Sequence, residues 1–157
     1  MNKIITLVAV MSLGISLIKA PVPFEATSLE ERAEAAEMTI EEFTLISGVV
    51  EAESNRSTDG DLLGRELIAL TILNRVEDER FPDTITGVLT QSGQFSTVRN
   101  GHSVVSRTDY SDEAVILAVE WLESGEAPNV EFFNCISYFR GYPAYDYVGG
   151  NYFSLGG

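Results

Sequence analysis

Glu53 is the residue in this chain whose type and placement most clearly fit it for chemistry. Phe43, Ile46, Val49 and Val50 recur at three- and four-residue steps, the spacing of one buried helical face. Continued at about 100° per residue, that spiral puts Glu53 about 20° from Ile46 and Glu51 about 140° from it, so Glu53 is expected to point inward and Glu51 to solvent. A carboxyl at the C-terminal end of a buried face loses solvation and meets the negative end of the helix dipole. Both disfavour its charged form. A group of this kind keeps its proton near neutral pH, as the acid that cleaves a glycosidic bond must. The same placement is equally compatible with a glutamate that surfaces at the helix end or bonds a backbone amide of the next loop.

Other chemistries are limited by what the chain lacks. His102 and Cys135 are its single histidine and single cysteine. A zinc site built from several His or Cys ligands is therefore excluded, no metal or cofactor is expected, and no intrachain disulfide can form. A serine triad would have to use His102, which lies in the polar run Arg99 to Ser103 with no Gly-x-Ser-x-Gly elbow. A thiol enzyme using Cys135 and His102 is a competing reading. Cys135, however, falls in an apolar, strand-like run where a thiolate is disfavoured.

Composition sets the frame. A chain of 157 residues with 45% hydrophobic content holds one core-forming domain. The formal net charge is −14, and Lys3 and Lys19 are the only lysines. A surface so acidic repels phosphate backbones and anionic headgroups, so nucleic acid is not expected as a partner. Lys3 followed by the apolar stretch Ile4 to Ile18 reads as an export signal, or as an N-terminal membrane anchor if it stays uncleaved. Residues 1–20 are assigned to that segment, 21–27 to a proline-containing linker and 28–157 to the folded domain, placed outside the cytoplasm, secreted or at the cell envelope.

The elements that must carry Glu53 are mainly helical. Ser28-Leu29-Glu30-Glu31 and Thr39-Ile40-Glu41-Glu42 are capping boxes; the first opens a helix to about Met38 and the second opens the Glu53 helix, with Met38 and Phe43 as its staple. Leu62 to Val76 is apolar around most of its circumference and is expected to be the central buried helix. Between it and Glu53 lies a polar, turn-rich loop. Ser111-Asp112-Glu113 is expected to open a further helix with Ala114, Val115, Ala118, Val119 and Leu122 as its core stripe, ended by Gly125. Glu131 to Phe139 and Tyr145 to Ser154 are β-prone and suggest a short C-terminal β-hairpin. The fold class is α+β, mainly α.

Several segments, taken in order, resemble the SleB-type spore-cortex-lytic cell wall hydrolases. They are Val50-Glu51-Ala52-Glu53-Ser54, Gly64, Leu73-Asn74-Arg75-Val76, Phe81-Pro82-Asp83-Thr84-Ile85-Thr86-Gly87-Val88 and Gly93-Gln94-Phe95-Ser96. Gly149-Gly150-Asn151-Tyr152-Phe153 is similar to the closing Gly-x-His-x-Phe of that family, with Asn151 in the histidine position. Glu53-Ser54 also resembles the Glu-Ser pair of lysozyme-like lytic transglycosylases. The resemblance implies a lysozyme-like helical domain that cuts peptidoglycan between N-acetylmuramic acid and N-acetylglucosamine, with Glu53 as catalytic residue. It implies Ser54, Gln94, Phe95, Ser96, Asn151 and Tyr152 as glycan contacts. A transglycosylase needs one carboxyl, whereas a hydrolase normally uses a second, for which Asp59 and Asp61 are available, although their turn-rich loop favours solvated aspartates or helix caps. The chain departs from the family at Asn55-Arg56-Ser57, where Arg-Gly-Glu is usual. That departure keeps open a non-catalytic glycan-binding or assembly role on the same scaffold.

Overall fold

The computed structural model describes residues 27–54 and 62–157. The export segment, all of the linker but Thr27, and the loop carrying Asn55, Arg56, Ser57, Asp59 and Asp61 lie outside the described residues. Among the described residues no helix is long and apolar enough to cross a membrane.

Both capping boxes form. Ser28 caps α1 (Leu29–Ala35) and Thr39 caps α2 (Ile40–Glu53), each hydroxyl accepting from the amide three residues on while Glu31 and Glu42 bond back to the cap amides. α1 ends before Met38 because Ala36 caps it and Glu37 turns the chain with φ 54°. α3 (Leu62–Glu77) is the central helix, packing along α5 (Asp109–Ser124) and against the sheet, with Leu67, Ile68, Leu70 and Ile72 fully enclosed. α5 begins earlier than expected. Thr108, not Ser111, is the N-cap, and Ser111 supplies the reciprocal bond of the box. Gly125 ends the helix in the left-handed conformation.

An ion-pair cluster fastens α1 to the start of α5. Arg32 reaches Asp109 at 2.5 Å and the fully buried Asp112 at 2.7 Å, and Arg107 also pairs with Asp112.

The family-like motifs have visible structural causes. Asn74 Nδ2 donates to the carbonyls of Pro128 (3.1 Å) and Val130 (2.8 Å), and Arg75 Nε donates to that of Glu131 (2.7 Å). Those three bonds latch α3 to β3 (Val130–Asn134) and to Pro128 just ahead of it. Thr84 caps the short α4 (Ile85–Leu89) by accepting from the Gly87 amide at 3.1 Å. A Cβ on Gly87 would lie 2.7 Å from Pro82 Cβ, so the proline, the threonine and the glycine form one steric unit.

The C-terminal sheet has three strands where a two-stranded hairpin was expected. β4 (Ala144–Val148) and β5 (Asn151–Leu155) form the hairpin through Gly149 and Gly150, and β3 pairs antiparallel with the other side of β5. Phe133 opposes Phe153 on the face turned to the core, where Phe95 joins them, while Tyr147 opposes Tyr152 on the other face. A second, smaller hairpin, β1 (Val98–Arg99) and β2 (His102–Ser103), turns at Asn100 and Gly101, both with positive φ. Asn-Gly is the usual pair for such a turn.

That small hairpin lies directly on α2 at Gly48, where a Cβ would come within 2.7 Å of Ser103 Cβ and 2.8 Å of the Val105 carbonyl oxygen. Gly48→Ala is therefore expected to destabilise the protein by about 1–3 kcal/mol through overpacking. Chemical denaturation with and without the substitution checks this, and an unchanged midpoint would mean that the helix and hairpin part freely.

Candidate active site

Glu53 is the last residue of α2, and its side chain is half-buried. The helix end is closed by neighbouring groups. Ser54 Oγ donates to the Glu51 carbonyl at 2.8 Å, and the buried Asn151 amide reaches the Glu53 carbonyl at 3.5 Å, the outer limit of a hydrogen bond. With its backbone held this way, the carboxyl meets one specific partner: Thr97 Oγ1 donates to Glu53 Oε1 at 2.9 Å. Burial raises the affinity of Glu53 for its proton, and the Thr97 hydrogen bond offsets part of that rise. Among the described residues no cation pairs with it.

Glu51 does not face solvent, contrary to the helical-wheel expectation. It pairs with Arg65 of α3 at 3.2 Å and accepts from Thr108 Oγ1, the α5 cap, at 2.8 Å. α2 is covered on that side as well, because α3 and the start of α5 pack against it. Glu51 and Glu53, near the end of α2, are thus in opposite electrostatic states, the first compensated by a guanidinium and the second, among the described residues, not.

Thr97 reaches Glu53 because the loop before it is anchored from below. Arg75 is 4% exposed, donates from Nη1 to Gln94 Oε1 at 3.0 Å and lies 5.7 Å from the Phe95 ring centroid. Phe95 is buried against Phe133, with ring centroids 6.4 Å apart. Of the expected glycan contacts, Gln94 therefore has its carbonyl oxygen engaged by Arg75, Phe95 is a core residue, and Ser96 is exposed. Ser54 spends its hydroxyl on the helix end, and Asn151 meets the Glu53 backbone rather than its carboxyl. Tyr152 is partly buried between Tyr138 (5.0 Å, edge-on) and Tyr147 (4.4 Å) on the outer face of the sheet. The structure brings Glu53, Ser54, Asn151 and Thr97 together, with Gln94 exposed and Phe95 buried in the loop that leads to Thr97.

Thr97 was missed by the sequence reading because its contact spans 44 positions. The Asn100-Gly101 turn signal three residues on could have located the hairpin that carries it. Glu66 of α3 is a second half-buried carboxyl whose proton affinity is raised by burial. A cavity of about 370 Å³ lies on the same loop, lined by Leu89, Gln91, Phe95, Val98 and Asn100 among others, but neither Glu53 nor Thr97 lines it.

The thiol reading loses its structural premise in a different way than expected. Cys135 is exposed and follows the end of β3, rather than lying in an apolar strand, because Asn134 Oδ1 accepts from the Ile136 amide and turns the chain there. His102 sits exposed in the small hairpin. The two make no hydrogen bond with each other.

Comparison with known proteins gives the same fold. The catalytic domain of the Bacillus cereus SleB protein superposes with a TM-score of 0.59 at 23% identity, over 74% of this chain and 91% of that one. The catalytic domain of the germination-specific lytic transglycosylase SleB from Bacillus anthracis superposes with the same score at 22% identity, over 74% and 95%. The spore cortex-lytic enzyme of Oceanobacillus iheyensis is 37% identical over 65 residues, 41% of this chain and 24% of that protein. Its Bacillus cereus counterpart is 33% identical over 66 residues, 41% of this chain and 26% of that protein. The chain thus spans about a quarter of the length of these curated relatives. The Cell Wall Hydrolase family model matches residues 60–148, which include the Asn74-Arg75 latch, the Thr84 cap and the Thr97 loop and begin just after Glu53. With more than half of its length matched, the chain belongs to the cell wall hydrolase family.

Proposed function

We propose that this protein cleaves the glycan strands of peptidoglycan between N-acetylmuramic acid and N-acetylglucosamine, as a lytic transglycosylase with Glu53 as its one catalytic carboxyl. The observation that carries the reading is the state of Glu53: a half-buried helix-end carboxyl, with proton affinity raised by burial and one oxygen fixed by Thr97. Such a group can protonate the glycosidic oxygen and then, as carboxylate, take the proton of the muramic acid 6-hydroxyl while that oxygen closes onto C1. Family membership supports the substrate class. The catalytic domains that share this fold include one described as a lytic transglycosylase. Tyr152, Ser96 and Asn151 are assigned as glycan contacts, in an extracytoplasmic setting reached through the segment 1–20. A net charge of −14 opposes binding to an anionic wall, so binding should strengthen as added salt screens the repulsion.

Digestion of purified peptidoglycan, with the released fragments resolved by mass, tests the reading. The native chain is expected to release anhydro-muropeptides, and Glu53→Gln to lose at least about a hundredfold in rate, the usual share of a general acid. Reducing-end products would instead indicate hydrolysis with a second carboxylate, and Glu66→Gln then tests the other half-buried carboxyl of raised proton affinity. No release from a folded native chain would leave the glycan-binding role.

The pH dependence has a definite sign. Because the proton affinity of Glu53 is raised, the active protonated form persists above the ordinary carboxylate range, and activity should fall on the alkaline side as Glu53 ionises. The same shift affects stability. A raised carboxyl contributes stability below its unfolded-state pKa and loses it as pH rises through the folded value. Glu53→Gln is thus expected to be at least as stable as the native chain at pH 7, with any advantage vanishing at about pH 4, near the unfolded value. Thermal melts at both pH values check this.

A further inference from the structure

The geometry points to Thr97 as the positioning residue of the Glu53 acid: its hydroxyl occupies Oε1, which leaves Oε2 as the oxygen that hands over the proton and takes it back. This inference rests on the reading of Glu53 as the acid.

Three independent restraints hold the hydroxyl in place. The Thr97 carbonyl accepts from the Val104 amide at 2.8 Å, which fixes the residue at the base of the β1–β2 hairpin. Two residues earlier Phe95 is buried, and Gln94 beside it is bonded to the buried Arg75. On the far side the hairpin rests on Gly48, at a distance that admits no Cβ. A threonine adds restriction of its own, because its branched Cβ limits side-chain rotation. The 2.9 Å bond to Oε1 therefore comes from a donor whose position is set before any substrate arrives.

The chemistry follows from the two oxygens no longer being equivalent. An oxygen already accepting a hydrogen bond is the poorer site for a proton, so the neutral acid carries its proton on Oε2. As the bond from C1 to the leaving oxygen breaks, the Oε2 proton moves to that oxygen and the carboxylate is left with its charge partly balanced at Oε1. The hydroxyl that then attacks C1 gives its proton to Oε2, which restores the acid. Thr97 donates throughout and donates more strongly to the charged form, so it eases the first transfer and holds one oxygen still for both.

Ionisable side chains on the surrounding elements do not take over this role. Glu51 of α2 and Arg65 of α3 are paired with each other, and Glu66, Arg99, His102, Tyr110 and Tyr152 make no ion pair or hydrogen bond with the Glu53 carboxyl among the described residues.

Thr97→Val keeps the branched shape and removes the donor, while Thr97→Ser keeps the donor. On soluble, uncross-linked glycan strands, Thr97→Val is expected to lower kcat about tenfold, the worth of one charge-assisted hydrogen bond, with KM within about twofold. Its alkaline limb should move to higher pH, and Thr97→Ser should restore both. A merely structural role would not move the limb, and Thr97→Ala serves should the valine variant fail to fold. A Thr97→Val enzyme with native kcat and native pH limb would overturn the inference. Should the native chain not cleave glycan at all, the proposed function falls, and carbon-13 NMR titration of the Glu53 carboxyl still decides this point. An upward shift in Thr97→Val supports the hydrogen bond, and identical titrations reject it.

Discussion

A cation enclosed in the core organises this side of the molecule. Arg75 stays charged at 4% exposure, although burial pushes its pKa down to about 10. An unpaired buried charge costs several kcal/mol, so what surrounds it must supply the missing solvation. The Glu131 carbonyl accepts from Nε, Gln94 Oε1 accepts from Nη1, and the rings of Phe81, Phe132 and Phe95 surround the guanidinium with centroids 5.1 to 5.7 Å away. Those partners come from the segment after α3, from β3 and from the loop ahead of Thr97. Satisfying one guanidinium thus brings the central helix, the sheet and the loop into a common register, which is why the Asn-Arg pair and the Phe-Pro segment act together.

Glu53 stands at the other end of the same arrangement and is treated oppositely. Among the described residues its burial is left largely uncompensated, with one hydroxyl where a guanidinium could have stood. Two positions earlier, Glu51 receives the guanidinium of Arg65 and a hydroxyl besides. The contrast comes from what packs on each side of α2: α3 and the α5 start cover Glu51, while the small hairpin brings only Thr97 to Glu53. A cation near Glu53 would stabilise the fold but lower the proton affinity of the carboxyl and leave it ionised at neutral pH. Less stability at neutral pH goes with a more useful carboxyl.

How far the sequence could be read depends on the range of each interaction. Ser28 with Glu31, Thr39 with Glu42 and the Gly125 stop are local patterns, and they form as expected. The inward aim of Glu53 was legible because one helix face was enough to define it. Glu51 was misread because a helical wheel knows nothing of the other helices that arrive on its polar side. α5 begins at Thr108 because a threonine and a serine form a reciprocal box, so that Ser111, expected to open the helix, is already its third residue. The third strand and Thr97 depend on pairings across many residues, which no local window contains.

The order of the chain offers a reason why these long-range contacts converge on one carboxyl. Glu53 precedes the matched family segment, and among the described residues the side chains that bond it lie far along the chain: Thr97 from the hairpin, and Asn151 from the last strand. Asn151 reaches the helix end from the C-terminal sheet, and that sheet is joined to α3 through Asn74 and Arg75. The raised proton affinity of Glu53 is accordingly a property of the completed fold and not of α2 alone. Loosening the latch at Arg75 would return the carboxyl toward solvent and toward its ordinary acidity, even though Arg75 makes no contact with it.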